Sequence, residues 1–240
     1  MRVAVLSDIH GFNLALETVI ADIEATGPYD AVIVAGDLCE VGPGPSEALD
    51  RLRGTGWILL KGNTDDDLVE AAADRDGSHT EHYAIRQLGP DNLAYLAGLP
   101  FSHRLTPPGG ASPGDDLLVV HANPQNLRDQ ITDEMSDRAV REVLGDERPG
   151  ALAFGHYHVC FTRMVDGTLL VDVSAVGNPK DGDLRCKYAV LTWDETARRW
   201  SAELRKLDYP VDATRDQILA SDLPNPEKAW KKLIRASYRD

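Results

Sequence analysis

The sequence predicts an α/β fold in which two mixed sheets pack face to face between outer helices, a four-layer α/β/β/α sandwich. Three observations predict it: short uncharged apolar runs, helical periodicity between the first runs, and hairpin signals in the second half. The runs are rich in Val, Ile and Leu, which is typical of buried strands. They lie at residues 3–6, 31–35, 57–60, 117–120 and 151–154.

The first half alternates strands with helices. Apolar residues recur at helical spacing over residues 13–26, and the pattern stops at Gly27-Pro28, which predicts a βαβ unit with the second strand. Residues 46–53 repeat this arrangement before the third strand. Residues 65–98 lack strand signals and predict two or three short helices.

The second half is richer in antiparallel strands, because strand-like segments there flank short turns. The predicted hairpins pair residues 101–106 with 116–120, 161–165 with 168–173, and 188–193 with 200–207. A helix-like stretch at 213–220 and a basic amphipathic segment around Trp230 follow, and we expect this tail to cover a sheet edge or face. We expect a single domain over residues 1–240, with a C-terminal helical tail at about 209–240.

The composition limits the classes of function. The 240 residues are 42% hydrophobic, enough for an ordinary core, and we expect neither a signal peptide nor a membrane span. Three cysteines without a C-x-x-C pair favour a reducing cytoplasm. A net charge of -14 argues against nucleic-acid and anionic-membrane partners, so a phosphate ligand would need local positive charge such as bound divalent cations.

Each apolar run is followed at once by polar side chains able to bind a metal. Because ligand sites of α/β sheets lie beyond the carboxyl ends of strands, we expect these motifs to be neighbours in space. Carboxylate, imidazole and amide oxygen without thiolate suit manganese, iron or zinc in a catalytic site. The seven candidate ligands are Asp8, His10, Asp37, Asn63, His121, His156 and His158.

The order of these motifs resembles that of the calcineurin-like metallophosphoesterases: D-x-H, G-D, G-N-x-[D/E], H and G-H-x-H over residues 8–158. Residues 36–43 and 176–182 are similar to loops of the small bacterial and archaeal phosphodiesterase branch. The resemblance implies two divalent metal ions, with manganese, iron, zinc and nickel all open. It also implies that a hydroxide bridging the metals attacks the phosphorus atom.

The resemblance also implies roles for individual residues. Asp8, His10 and His158 would hold one metal, Asn63, His121 and His156 the other, and Asp37 would bridge them. Asn63 and His121 would in addition act on the phosphate as catalytic residues. Asp65 would orient a ligand imidazole from behind, and Asn13 and Lys180 would contact phosphate oxygens.

The sequence departs from the family pattern at Thr64, where many relatives have a histidine thought to protonate the leaving group. A hydroxyl is a poor general acid at neutral pH, so we expect a good leaving group or a proton donor from elsewhere. His79 and His82 are candidates for such a donor, although structural or surface roles suit them better.

We therefore expect a two-metal phosphoesterase that acts on a small phosphodiester or phosphomonoester. One alternative is a non-catalytic protein-interaction scaffold of the same fold, as in a retromer subunit of this superfamily. A nuclease or a protein phosphatase of the same chemistry is another; the acidic composition disfavours the nuclease.

Overall fold

Two five-stranded sheets form the centre of the computed structural model, which describes residues 1–74 and 76–238. The strands are β1 (Arg2–Leu6), β2 (Ala31–Val34), β3 (Ile58–Leu59), β4 (Ser102–Leu105), β5 (Leu117–Val120), β6 (Ala151–Phe154), β7 (Phe161–Val165), β8 (Thr168–Asp172), β9 (Cys186–Asp194) and β10 (Arg199–Leu207). The first sheet has the order β10-β9-β1-β2-β3 and the second β4-β5-β6-β8-β7. Each sheet mixes parallel and antiparallel pairs, as expected.

Seven α-helices flank the sheets within the described ranges. They are α1 (Asn13–Thr26), α2 (Pro45–Arg53), α3 (Asn63–Asp74), α4 (His79–Ala97), α5 (Asp137–Leu144), α6 (Val211–Ala220) and α7 (Pro226–Arg235). The backbone of α4 is kinked at Gly89, which precedes Pro90. In this part of the chain, no helix has both the length and the apolar character needed to cross a membrane.

Side-chain alternation along the strands produces the layers, since successive residues of a strand point to opposite faces. In β1, Val3 and Val5 belong to the core between the two sheets, whereas Ala4 and Leu6 pack on the helical side. The outer face of the second sheet packs against α5 through Val140 and Leu144. These layers confirm the predicted α/β/β/α sandwich.

The five motif-bearing strands are divided between the sheets: β1, β2 and β3 belong to the first, and β5 and β6 to the second. Contacts between the sheets nevertheless join their carboxyl ends. The backbone N–H of His156 donates to the carboxylate of Asp8 at 2.9 Å, and His121 Nδ1 lies 2.8 Å from the carbonyl oxygen of Ala35. The expected meeting of the motifs therefore takes place across two sheets.

Most element predictions are confirmed to within about two residues, including α1, α2 and all three hairpins. The stretch predicted as helical at 65–98 contains α3 and α4, with α3 beginning two residues early. Helix α5 was not predicted. Its N-terminal cap is Ser136, whose side chain accepts a hydrogen bond from Ala139 N. Residue 75 of the helical stretch and the last two residues of the predicted tail lie outside the described residues.

A polar cluster connects α1 to the C-terminal hairpin. Asp22 accepts hydrogen bonds from Arg205 at 2.9 and 3.1 Å and from the Tyr188 hydroxyl at 2.5 Å. Burial acts to raise the pKa of Asp22, but these hydrogen bonds outweigh it and lower the pKa. The cluster thus stabilises the contact of the first helix with strands about 170 residues later in the chain.

We expect Asp22→Asn to lower the free energy of unfolding at pH 7 by about 1–3 kcal/mol, because hydrogen bonds to a charged group are lost. The folded-state pKa of Asp22 lies below its unfolded value of about 4, so this contribution is present above that pH and is lost as the pH falls through the folded value. Urea denaturation at neutral and at acid pH measures the change. An equal difference at both pH values would contradict the account, and the exposed Glu24→Gln should change little.

Candidate metal centre

Five of the seven candidate ligands adopt left-handed backbone conformations, which are uncommon for residues other than glycine. Their φ angles lie between +52° and +68°. Such conformations persist only where surrounding structure imposes them, and they cluster at functional sites. The five residues are Asp8, His10, Asp37, His156 and His158.

The first half of the site consists of Asp8, His10, Asp37 and His158, whose ligand atoms all lie within 4.8 Å of one another. His158 Nε2 is 3.0 Å from Asp8 Oδ1 and 3.3 Å from His10 Nε2. His10 Nε2 in turn lies 3.7 Å from Asp37 Oδ2. All four residues are buried.

The second half consists of Asp37, His121, His156 and Asn63. His121 Nε2 is 3.0 Å from Asn63 Oδ1, 3.2 Å from His156 Nδ1 and 3.4 Å from Asp37 Oδ1. Asp37 is common to both halves, since its Oδ2 faces His10 and its Oδ1 faces His121. The two halves therefore form one continuous cluster around a single carboxylate.

Backbone carbonyls fix the orientation of all four imidazoles. Each ring has one nitrogen within hydrogen-bond distance of a carbonyl oxygen, which can only accept, so that nitrogen carries the hydrogen. The other nitrogen then presents its lone pair to the cluster, as in metal-binding histidines. The contacts are His10 Nδ1 to Glu40 O at 2.9 Å, His121 Nδ1 to Ala35 O at 2.8 Å, His158 Nδ1 to Asn178 O at 2.7 Å and His156 Nε2 to Arg128 O at 2.8 Å.

In this arrangement the unprotonated ring nitrogens, which are hydrogen-bond acceptors, face one another and the carboxylate oxygens. The lone pairs of His121 and His156 face each other at 3.2 Å beside a carboxylate oxygen of Asp37, and those of His10 and His158 face each other at 3.3 Å. Buried acceptors without donors are costly unless a cation lies between them. The donor set of this site therefore fits a divalent metal in each half.

The electrostatics of the cluster agree with this interpretation. Burial lowers the pKa of His121 and of His156, and with His158 nearby it lowers the pKa of His10 to about 3, which keeps these rings neutral. Burial and the charge of Asp8 raise the pKa of Asp37 to about 7. Burial acts to lower the pKa of His158, but the charge of Asp8 outweighs this effect, so the pKa of His158 is raised. A metal would bind the neutral ring of His158, so metal binding would displace any proton from His158 Nε2.

Asp65 differs from its predicted role. Its carboxylate does not orient an imidazole; it accepts backbone N–H groups of Asp37, Leu38 and Gly62, each at 2.9 Å. Both of its oxygens are thereby occupied. The buried Asp65 fixes the backbone that carries the shared Asp37, so it supports the site through the loops rather than through a ring.

The two predicted phosphate contacts lie at the margin of the cluster. Asn13 is the first residue of α1, three positions beyond His10, and its buried Oδ1 finds no hydrogen-bond partner among the described residues. The ammonium of Lys180 donates to Asn178 Oδ1 at 2.6 Å. Burial and the charge of Lys232 lower the pKa of Lys180. Their contacts with substrate stay predictions.

The remaining candidates have different positions. Thr64 N donates to Asp37 Oδ1 at 2.9 Å, and its buried hydroxyl lies beside the same carboxylate. His79 is the first residue of α4 and lines a cavity next to the site, whereas His82 lies further along the same helix. His103, the one histidine outside the motifs and α4, was not a candidate and belongs to β4, opposite Val119.

Arg128 is a functional candidate that the sequence analysis missed. Its carbonyl orients His156, and its guanidinium pairs with both carboxylate oxygens of Asp67 on α3 at 2.7 and 3.2 Å. This bidentate pair anchors the loop after β5 across the site. No side-chain motif predicts that Arg128 orients His156, because the group that contacts His156 is a backbone carbonyl.

Comparison with known proteins agrees with the fold and identifies the family. A family model of the calcineurin-like phosphoesterases matches residues 1–160, and the chain belongs to this family. A metallophosphoesterase from Sphaerobacter thermophilus has 23% identity and a TM-score of 0.75 over 98% of this chain and 100% of its own. A hypothetical protein from Pyrococcus horikoshii has 19% identity and a TM-score of 0.79 over 98% of both chains. An uncharacterized protein of Methanocaldococcus jannaschii is 24% identical over 92% of this chain and 93% of its own.

We expect manganese to raise the thermal unfolding midpoint of chelator-treated protein. A ligand that binds only the folded state stabilises it by about 2.7 kcal/mol at a hundredfold excess over its dissociation constant. Differential scanning calorimetry with and without manganese measures this shift. His121→Ala should lose most of it and His103→Ala should retain it. An unchanged midpoint in the wild type would contradict a cation site.

We expect Asp65→Asn to weaken manganese binding by roughly 10- to 100-fold, the usual effect of removing a group that supports metal ligands. The side-chain N–H₂ of the introduced asparagine would face a backbone N–H that now donates to the Asp65 carboxylate, so that hydrogen bond would be lost. Calorimetric titration measures the affinity. Asp66→Asn, one residue along the same helix, is the matched control because its carboxylate instead contacts Lys61. Equal affinities in the two variants would rule out the supporting role.

Proposed function

We propose that this protein is a phosphoesterase that uses two divalent cations to hydrolyse a small phosphodiester or phosphomonoester. The observation that carries the proposal is the pair of acceptor clusters joined through Asp37. Family membership supports phosphoester hydrolysis as the general activity. The number of metals goes beyond family membership and rests on the geometry of the cluster, whereas the kind of ester is decided by the assay below.

The residues of the cluster divide into two ligand sets. Asp8, His10 and His158 would hold one cation, and Asn63, His121 and His156 the other, with Asp37 shared. Cations bound there would polarise the phosphoryl oxygen and lower the pKa of a coordinated water, the two contributions that phosphoester hydrolysis needs. Manganese, iron, zinc and nickel all remain compatible with the mixed nitrogen and oxygen donor set.

Other contributions come from the chain itself. The carbonyls behind the imidazoles hold each ring in one tautomer, so little reorganisation is needed when a substrate binds. The side-chain N–H₂ of Asn63 and the hydroxyl of Thr64 are hydrogen-bond donors beside the cluster that would serve a phosphate group. Since a hydroxyl is a weak acid, Thr64 can orient a leaving-group oxygen but supplies little protonation. The enzyme should therefore favour esters whose leaving group has a low pKa.

The scaffold alternative explains the site less well. A protein-interaction surface gains nothing from buried imidazoles that face one another without a donor, and such a cluster costs stability unless it is filled. The alternative of a protein phosphatase has no specific observation in its favour. Net charge continues to disfavour a non-specific nuclease.

We expect the protein to hydrolyse bis-p-nitrophenyl phosphate, p-nitrophenyl phosphate or both, with at least one of manganese, nickel and zinc. Asp37→Ala should abolish this activity because both cations lose a ligand, whereas Asp66→Ala should keep it. Release of p-nitrophenolate measures the rates, and their ratio assigns diester or monoester preference. Absence of turnover with every metal would favour the scaffold. Wild-type rates in Asp37→Ala would refute the shared ligand.

A further inference from the structure

A cavity of about 660 Å³ adjoins the half of the metal centre that contains His10 and His158. Its wall includes Glu40 and Asn178, the residues whose carbonyls orient those two imidazoles. The C-terminal helix α7 and the start of α4 form the opposite side. A volume of this size is typical of a small-molecule site. None of the seven candidate ligands is among the lining residues, so the cavity borders the metal centre through the residues that support two of its rings.

The cavity carries a local excess of positive charge in a chain of net charge -14. Lys180, Lys228 and Lys232 line it, and none of them forms an ion pair with a carboxylate of the described residues. Lys228 and Lys232 are four positions apart on α7, a spacing at which like charges repel and weaken a helix. Cations that line a cavity without a carboxylate partner are suited to an anionic group of a ligand.

The rest of the lining is apolar enough to hold the body of an organic molecule. Phe12 and Val41 contribute from the metal-centre side, and Leu223 and Leu233 from the tail. Phe12, Leu223 and Leu233 are themselves buried parts of the core, so this floor is fixed. Apolar walls with a few charged groups are the common composition of small-molecule sites.

The tail that brings the lysines to the cavity is fastened to the metal-binding loops. Gly182 N donates to Ala236 O at 2.8 Å, and Asp181 forms a β-bridge with Ser237. The Tyr238 hydroxyl donates to the carbonyl of Tyr157, which lies between the candidate ligands His156 and His158, at 2.9 Å. The lysines of α7 are thereby held at a defined position relative to the metal centre.

We propose that this cavity binds the non-reacting part of the substrate, and that the substrate is an organic phosphoester with an apolar body and a second phosphate group held by Lys180, Lys228 and Lys232. This inference rests on the proposed phosphoesterase function. It assigns α7 a part in substrate selection, in addition to its packing through Leu233. It also narrows the substrate class to esters that carry two phosphate groups.

Two chromogenic substrates that differ only in the distal phosphate test the proposal on the full-length, metal-loaded protein. These are the p-nitrophenyl ester of thymidine 5′-phosphate and the same ester with an additional 3′-phosphate. We expect the wild type to prefer the second in kcat/KM by roughly tenfold or more, as for a charge-assisted contact. The Lys228→Gln/Lys232→Gln double variant should lose this preference and keep its rate on the first substrate.

Lys231→Gln is the matched control, because Lys231 lies on the same helix but does not line the cavity. It should retain the wild-type preference. A binding measurement that does not depend on turnover is calorimetric titration of thymidine 3′,5′-bisphosphate into chelator-treated protein. The double variant should bind it more weakly than Lys231→Gln by a similar factor.

The outcomes separate this inference from the proposed function. Hydrolysis of bis-p-nitrophenyl phosphate without any preference between the two thymidine esters would overturn the second-phosphate site and leave the phosphoesterase intact. An equal loss of preference in Lys231→Gln would also overturn it, since the effect would then reflect net charge alone. Absence of all hydrolysis with every metal would contradict the proposed function instead.

Discussion

The carboxylate of Asp37 is the group on which the organisation of this molecule depends. One of its oxygens faces His10 and the other faces His121, so it joins side chains from both sheets. Burial and the neighbouring Asp8 raise its pKa, which shows how unfavourable its negative charge is without a compensating cation. The two cations of the proposed mechanism would compensate this charge.

The backbone around Asp37 is specialised to hold it. Asp65 accepts three backbone N–H groups of the loops on either side, and a β-carbon on Gly62 would lie 2.1 Å from Asp37 Oδ1. Gly62 therefore leaves the space that the carboxylate occupies. Together with the left-handed conformations of the ligands, these contacts fix the cluster before any metal or substrate arrives. Such preorganisation is what electrostatic catalysis requires.

Local pattern was sufficient to predict much of the fold and the identity of the cluster. Strands β1, β5 and β6 are continuous apolar runs, and α1 has an apolar face that ends before Gly27, so short windows of sequence contain the information. The convergence of the motifs follows from the rule for strand ends. The fold class predicted from these signals is confirmed, whereas the metal-ligand roles stay predictions.

The features that the sequence did not predict depend on contacts between distant residues or on backbone groups. Helix α5 is only eight residues long and owes its stability to packing of Val140 and Leu144 on the second sheet. The carbonyls that orient the imidazoles belong to residues without a common side-chain type, so no motif marks them. The partners of Asp65 are backbone amides for the same reason. The basic cavity depends on how the tail folds back onto the loop near Lys180, about 50 residues earlier.

Electron paramagnetic resonance of the manganese-loaded protein tests the central claim most directly. If Asp37 is shared, two manganese ions bind per chain and lie close enough for their spins to couple, and the spectrum should be that of a coupled pair. A spectrum of isolated manganese only, at saturating metal, would contradict the account.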